Sequence, residues 1–228
     1  VTDEERLGAA TEMWAYASAL AEEKRKQFKD DIVSKLISPD EEGNVLSELE
    51  FDLFFMLLAV AGNETTRNAL SSAMFVLATR PDIWAVIAAN PERIPDFVEE
   101  VLRVHAPAVT TPRTVMKDTQ MHGVDLPRGS SLFVMWASAG QDEAMFEDPM
   151  TFDMDRKNKR GHITFGMGVH HCVGSFLARA ELTAAVRRWT EELERVELAV
   201  PVEEIRYDPV FAFHALSDLP IRAFRKAR

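Results

Sequence analysis

The chain has 228 residues, of which 46% are hydrophobic and 28% charged, a composition that indicates a globular rather than a disordered or fibrous protein. Acidic residues outnumber basic ones by 37 to 26, and the formal net charge of -11 would repel a nucleic acid, which is therefore not an expected partner. The single cysteine excludes an internal disulfide, and the apolar stretch at residues 53–63 is shorter than the roughly 20 residues that a transmembrane helix needs.

Three helices are predicted in the first third of the chain. Residues 2–28 are rich in Ala, Glu and Lys and lack proline, which favours a long helix, and a shorter helix is expected at residues 31–37. Ser47, followed three residues later by Glu50, forms a capping box that predicts the start of a third helix, which should run to about Ala78. Because residues 53–58 are apolar on every side of this helix, we expect it to be buried in the core.

The remainder of the chain predicts further helices and short strands. A helix should begin near Pro95 and bury Phe97, Val98, Val101 and Leu102, and a last helix should start just after Cys172. Short strands are expected at residues 114–116, 132–135 and 211–213, between Gly and Pro turns. Neither a repeat nor an interdomain linker is evident, so the prediction is one mainly α domain with small β-sheets over residues 1–228.

The strongest chemical signal is the glycine-rich loop at residues 165–174, FGMGVHHCVG, which carries the lone Cys172 to the start of the last helix. Glycines permit unusual dihedral angles and the close approach of a flat cofactor. Free backbone N–H groups and the helix dipole would favour a thiolate at Cys172. The alternatives are an inert buried cysteine and a zinc site shared with His162, His170 and His171. A dinucleotide-binding loop is excluded because His171 stands where that motif needs its third glycine.

A second signal lies inside the predicted third helix, at residues 61–66, AGNETT. Gly62 should cost about 1 kcal/mol relative to alanine in a helix interior. The hydroxyl of Thr65 can bond the carbonyl of Ala61, four residues earlier, and loosen the helix there. Such departures from local rules often mark functional sites, although a solvated Glu64 beside a simple helix kink is the alternative.

Both segments resemble motifs of the cytochromes P-450. The loop matches the haem-binding signature Phe-Gly-x-Gly-x-His-x-Cys-x-Gly at every specified position, and residues 61–66 are similar to the oxygen-activation motif Ala-Gly-x-Asp/Glu-Thr. The resemblance implies the C-terminal part of the fold of a soluble, bacterial-type member, with the N-terminal half absent. It also implies haem b (iron protoporphyrin IX) as the cofactor, with Cys172 as the iron ligand and with Phe165, Gly166 and Gly174 around it. A thiolate ligand on haem iron favours O–O cleavage.

The same resemblance assigns roles to other polar residues. Glu64 and Thr65 would be the acid and the alcohol that relay protons to bound dioxygen. Arg113, His162 and His170 would bind the haem propionates, since cationic and N–H donors suit carboxylates. The alternative for each of these three is an ordinary surface arginine or a core histidine with satisfied hydrogen bonds.

Glu100 and Arg103 are three residues apart and share one helix face, which by itself indicates only a common surface ion pair. In the family, this Glu-x-x-Arg pair binds a later arginine and locks the fold behind the haem. The matching candidate is Arg156. These three residues are therefore expected to be structural, not catalytic.

The substrate pocket is expected to combine Ala61 with two segments that line the distal pocket in the family, represented here by Val109, Thr110, Phe211 and Phe213. Their apolar character predicts a hydrophobic small-molecule substrate, although core packing would give the same composition. The implied activity is monooxygenation with dioxygen. A truncated, non-catalytic haem-binding fragment is the alternative.

The expected electron donor is a ferredoxin or a flavin reductase, in the cytoplasm, with no membrane segment in this part of the protein. Four cations in five residues, Arg156, Lys157, Lys159 and Arg160, suggest a docking patch for an acidic donor. A solvated charged face is the alternative.

Overall fold

The structure is a computed structural model that describes residues 2–227, and helices dominate it. The helices are α1 (Asp3–Lys26), α2 (Ile32–Leu36), α3 (Glu48–Thr79), α4 (Pro81–Ala89), α5 (Ile94–Val104), α6 (Trp136–Ala139) and α7 (Ser175–Glu192). The predicted capping box is confirmed at the start of α3, where the Ser47 N–H donates to Glu50 Oε2 at 2.9 Å and the Glu50 N–H donates to Ser47 Oγ at 3.3 Å. Within residues 2–227 no single helix is long and apolar enough to cross a membrane; only the bent pair of α3 and α4 together meets that length and composition.

The described residues form two compact units, the first ending at Asn63 and the second beginning at Glu64. In the first unit, Ala17 and Ala21 of α1 are buried together with Phe51 of α3. Partly buried side chains complete this small core: Val33, Leu36, Ile37, Leu46 and Phe55.

The prediction that the first half of α3 is buried on all sides is wrong. Leu53, Leu57 and Val60 are 52%, 60% and 57% exposed, whereas Phe51 is fully buried. A helix that is apolar all round has no preferred face, so its sequence does not show which face its own unit covers. The helix continues through residues 61–66 without a break.

The core of the second unit forms around α5. Its predicted apolar face is confirmed, because Phe97, Val98, Val101 and Leu102 are all buried. They share one hydrophobic cluster with Ile83, Trp84 and Ile87 of α4 and with Leu182 and Val186 of α7. Helix α4 was not predicted, although Pro81 stands at its first position, where proline is well tolerated.

Three antiparallel strand pairs complete the second unit. They are β1 (Thr110–Thr114) with β4 (Ser131–Met135), β2 (Thr119–Met121) with β3 (Val124–Leu126), and β5 (Leu193–Leu198) with β6 (Ile221–Arg225). The strand predicted at residues 132–135 is confirmed as β4. The one predicted at residues 114–116 overlaps β1 only at Thr114, and residues 211–213 form no strand beyond an isolated bridge between Phe213 and Ala108.

Candidate functional site

Cys172 is a free, exposed cysteine on the loop that leads into α7. Its backbone N–H donates to the carbonyl of Phe165 at 2.8 Å, and its own carbonyl accepts from the N–H of Ser175 at 3.2 Å. Since α7 begins at Ser175, the cysteine lies just before the helix and not in its first turn. The exposed thiol also makes the alternative of an inert buried cysteine wrong.

Two glycines determine the path of this loop. Gly166 and Gly168 have φ angles of 72° and 68°, in the left-handed region that side chains with a Cβ rarely adopt. A Cβ on Gly166 would also lie only 3.4 Å from the carbonyl oxygen of His170. At Gly174, by contrast, a Cβ would make an ordinary contact of 3.8 Å with the sulfur of Cys172. The loop therefore requires the first two glycines more than the third.

The surroundings of the thiol fit a large, flat, apolar cofactor. Five apolar side chains on the loop and on the first turn of α7 are between 61% and 98% exposed: Met167, Val169, Val173, Phe176 and Leu177. Such a concentration of exposed apolar surface usually marks a binding site. No group of three or more His, Cys, Asp or Glu side chains within residues 2–227 is arranged to hold a metal ion, so the alternative zinc site lacks a ligand set. These residues fit a haem, since Cys172 could supply a thiolate to the iron and the exposed apolar side chains could cover the ring.

Arg113 lies in β1 with its side chain exposed, and its Nη1 donates to the carbonyl of Pro112 at 2.8 Å. Trp136, which the sequence did not single out, joins this strand to the cysteine loop. Its Nε1 donates to Thr111 Oγ1 at 3.0 Å, and its ring reaches within 4.0 Å of the Cβ position on Gly166. His170 is exposed on the loop itself. Arg113 and His170 thus remain available to an anionic ligand group.

His162 does not suit its predicted propionate role. It is buried, and its Nε2 lies 3.0 Å from Glu99 Oε2, while its Nδ1 accepts the N–H of Thr164 at 3.3 Å. Both ring nitrogens therefore already have partners inside the protein. The alternative of a satisfied core histidine describes this residue.

Glu99 is a functional candidate that the sequence reasoning missed. Its carboxylate is also bound by Arg179, at 2.5 Å from Nε and 3.1 Å from Nη2. Burial would raise the pKa of Glu99, but hydrogen bonds from His162 and Arg179 and their positive charge outweigh this effect and lower the pKa to about 2. Neither residue had a signal in the sequence, because the spacing places Glu99 on the polar side of α5 together with Glu100 and Arg103.

The predicted structural triad is present and buried. Arg103 binds Glu100 through two hydrogen bonds of 2.7 and 2.9 Å, and Arg156 Nε lies 3.3 Å from the same carboxylate. The remaining guanidinium N–H groups donate to backbone carbonyls of an irregular segment: Gly140, Glu147, Asp148, Pro149 and Thr151. These contacts agree with a structural role.

The predicted proton-relay residues lie in the middle of α3, at the start of the second unit. Glu64 Oε1 accepts from Arg67 Nη2 at 2.6 Å and from Asn68 Nδ2 at 3.3 Å, and its side chain is 39% exposed. Thr65 is half-buried. The charge of Glu64 is therefore balanced by a neighbour on its own helix, a pairing that the sequence reasoning missed.

The two segments predicted to line the substrate pocket lie side by side. The N–H of Val109 donates to the carbonyl of Ala212 at 2.8 Å, next to the bridge between Ala108 and Phe213. However, successive side chains of a strand point to opposite faces. Buried Thr110 thus lies on the face of β1 opposite to Thr111, the residue that contacts the cysteine loop through Trp136.

Phe211 lies on the same face as Thr110. Its ring meets the ring of Phe133 at 5.5 Å, and Phe133 is the register partner of Pro112, which shares a face of β1 with Thr110. Thr110 and Phe211 therefore share one face of the β1–β4 pair, and their place in the substrate pocket stays a prediction. Ala61 belongs to the first unit.

Aromatic rings stack beside these segments. His214 stacks on His105 at 5.6 Å and on Tyr207 at 4.6 Å, and Phe75 meets the edge of His105 at 6.4 Å. Burial, and next the charge of His214, lower the pKa of His105 to about 4. Both histidines are thus held in their neutral form near pH 7.

The predicted patch of four cations is reduced by the structure to two. Arg156 is buried in the triad, and Lys159 binds Asp96 Oδ1 at 3.1 Å with its side chain 16% exposed. Only Lys157 and Arg160 among the four are exposed.

Comparisons with known proteins identify the family. The sequence model of the cytochrome P-450 family matches residues 94–195. The chain is 41% identical over 175 residues to the steroid C26-monooxygenase of Rhodococcus jostii, covering 76% of this chain and 36% of that protein. It is 34% identical over 223 residues to the mycinamicin IV hydroxylase/epoxidase of Micromonospora griseorubida, covering 97% of this chain and 56% of that protein.

Solved structures agree with this assignment. The structure of CYP109E1 from Bacillus megaterium in complex with testosterone matches with a TM-score of 0.90 at 33% identity, covering 96% of this chain and 60% of that one. The chain belongs to the cytochrome P-450 superfamily, and the predicted fold, mainly α with small β-sheets, is confirmed. The chain spans about half the length of the curated relatives it matches.

Proposed function

We propose that residues 1–228 form one domain, the haem-binding part of a cytochrome P-450 monooxygenase, with haem b as the cofactor and Cys172 as the thiolate that would hold its iron. The observation that carries this proposal is the exposed thiol of Cys172, on a loop bent by two left-handed glycines and bordered by exposed apolar side chains. The monooxygenase names of the relatives support the reaction class.

Several residues of this chain would bind the cofactor and shape the loop around it. Bound haem supplies the activation of dioxygen that side chains cannot perform. Cys172 would hold the iron, while Phe165 and Gly166 fix the loop and Gly174 begins the turn into α7. Arg113 and His170, both exposed, would donate to the propionates, and charge-assisted hydrogen bonds of this kind are strong.

Glu64 and Thr65 are proposed as the residues that deliver protons. A carboxyl group can pass a proton only if it exchanges partners, and Glu64 is bound to Arg67 and Asn68. Proton delivery therefore requires that the Glu64 carboxylate separate from Arg67 and take up a proton from solvent. Glu64 would then pass this proton to the hydroxyl of Thr65, which would donate its own. Since the Glu64–Arg67 pair is partly exposed, this release costs little, of the order of 1 kcal/mol or less.

The proposed substrate is a hydrophobic small molecule, which agrees with the steroid and the mycinamicin in the names of two relatives. Val109, Thr110, Phe211 and Phe213 are the candidates for the pocket wall, and the role of Ala61 stays a prediction. The proposed electron donor is a ferredoxin or a flavin reductase, and exposed Lys157 and Arg160 would attract an acidic one. A cytoplasmic location stays a prediction.

A haem-loading experiment tests the ligand assignment. The expressed chain is loaded with haem, reduced and treated with carbon monoxide, and the Soret band should show the red shift of thiolate ligation. Cys172→Ser should lose that band, and its retention would falsify the assignment. His170→Gln should weaken haem binding without removing the band, whereas His122→Gln, on the β2–β3 turn, is the matched control with no effect.

The second candidate is a chain that binds haem without turnover, which the exposed Cys172 loop alone would support. The same preparation separates the two. A thiolate band without any substrate oxidation supports haem binding without turnover, whereas oxidation of a hydrophobic substrate with dioxygen and two electrons from an added ferredoxin-type donor supports the enzyme.

A further inference from the structure

We propose that Arg179 is a positioning residue that holds the Cys172 loop from both sides. The loop depends on two backbone hydrogen bonds, one from Cys172 to Phe165 before it and one from Ser175 to Cys172 after it. Arg179 contacts the partner residue at each end. The effect of Arg179 on the haem ligand rests on the proposed function, whereas its effect on the conformation of the loop does not.

The upstream contact is with the ring of Phe165. The guanidinium carbon of Arg179 lies 4.4 Å from the centroid of that ring, well within the range of a cation–π contact. The rings of His162 and His171 lie 6.1 and 6.4 Å from the same centroid. Phe165 is thus held on several sides, and its carbonyl, which accepts the Cys172 N–H, is held with it.

The downstream contact is with the first residue of α7. Arg179 Nη1 donates to the carbonyl of Ser175 at 3.4 Å, one helical turn earlier. Because the N–H of Ser175 donates to Cys172, a single guanidinium group reaches both ends of the loop.

Glu99 makes this arrangement rigid. It binds Arg179 through two oxygen–nitrogen contacts, and its side chain is only 4% exposed. Glu99 belongs to α5, in the core of the second unit, so the loop is anchored to the most buried helix of that unit. A planar guanidinium can pair with a carboxylate through its edge and stack on a ring through its face at the same time, which a lysine cannot do.

The first test uses the chain without haem. Hydrogen exchange of the peptide 165–175 should become about fivefold or more faster in Arg179→Met, because a lost cation–π contact and hydrogen bond lower the cost of local opening. Arg188→Met is the matched control, since Arg188 lies on the same helix but pairs only with exposed Glu191 and Glu192. Unchanged exchange in Arg179→Met overturns the proposal.

Two further variants separate stacking from charge. Arg179→Lys keeps a positive charge for Glu99 and should recover the unfolding midpoint, but the exchange of residues 165–175 should stay fast. If lysine restores slow exchange as well, the ion pair alone holds the loop and the proposal fails. Phe165→Leu should speed exchange like Arg179→Met, and the two changes together should add little. Phe165→Leu also carries the test if Arg179→Met does not fold.

The haem-loaded chain provides the readout for the ligand. Arg179→Met should lower the share of the thiolate Soret band and shift the haem reduction potential, while Arg188→Met leaves both unchanged. A purely structural role would reduce the yield of folded protein without changing either property of the folded fraction. If the unaltered chain shows no thiolate band, the proposed function fails, and the exchange data still decide the role of Arg179.

Discussion

Arg103→Met should be among the most damaging substitutions in the second unit. Arg103 is completely buried and makes five hydrogen bonds, two to Glu100 and three to the carbonyls of Gly140, Pro149 and Thr151. Methionine has a similar length but no donors. The change leaves the Glu100 carboxylate with only the Arg156 guanidinium at 3.3 Å and the Asp153 N–H at 2.9 Å.

Removing one partner of a buried ion pair typically costs about 3–5 kcal/mol. Glu100 keeps Arg156 here, but three backbone carbonyls also lose a donor, so we expect a loss of this size. For a chain of this size that loss lowers the thermal midpoint by roughly 6–20 °C. Urea unfolding followed by circular dichroism measures the loss. Arg188→Met, which breaks pairs of a side chain 69% exposed, should cost less than about 1 kcal/mol. A loss of that small size in Arg103→Met would refute the reasoning.

Two other substitutions follow from the same unit. Gly140→Ala places a Cβ 2.4 Å from the carbonyl oxygen of Arg103, so the free energy of unfolding should fall by about 1–3 kcal/mol in the same urea assay. Gly161→Ala is the control and should change it little, because its Cβ meets nothing within 4 Å. The pKa of His105 falls from 6.5 to about 4 on folding, so the unfolded chain binds a proton at a higher pH than the folded chain does. The free energy of unfolding should therefore decline as the pH drops from 6.5 to about 4, by at most about 3 kcal/mol. His105→Phe, which keeps a ring beside His214, should flatten that decline in urea midpoints between pH 7 and pH 4; an unchanged slope would contradict it.

Features set by neighbouring residues could be predicted from the sequence. The capping box needs only Ser47 and Glu50, three residues apart, and both of its hydrogen bonds are present. The cysteine loop is likewise contiguous, so its glycines indicated its unusual backbone before any contact was known. The amphipathic face of α5 follows from its period alone.

Features that depend on residues far apart in the sequence could not be predicted. His162 resembles a ligand for an anion until Glu99, 63 positions earlier in the chain, is seen to bind its Nε2. Strand β5 was not predicted because its register against β6 shifts between Leu193 and Arg195, which breaks the alternation of apolar and polar residues that identifies a strand.

The triad has a consequence for the segment at residues 141–158, which contains neither a helix nor a strand. Arg103 and Arg156 hold it by its backbone carbonyls, and a carbonyl is common to all amino acids. The identities of many side chains in this segment can therefore vary during evolution, whereas an inserted or deleted residue would move every carbonyl away from its donor. Length, more than composition, is the inherited constraint on this part of the chain.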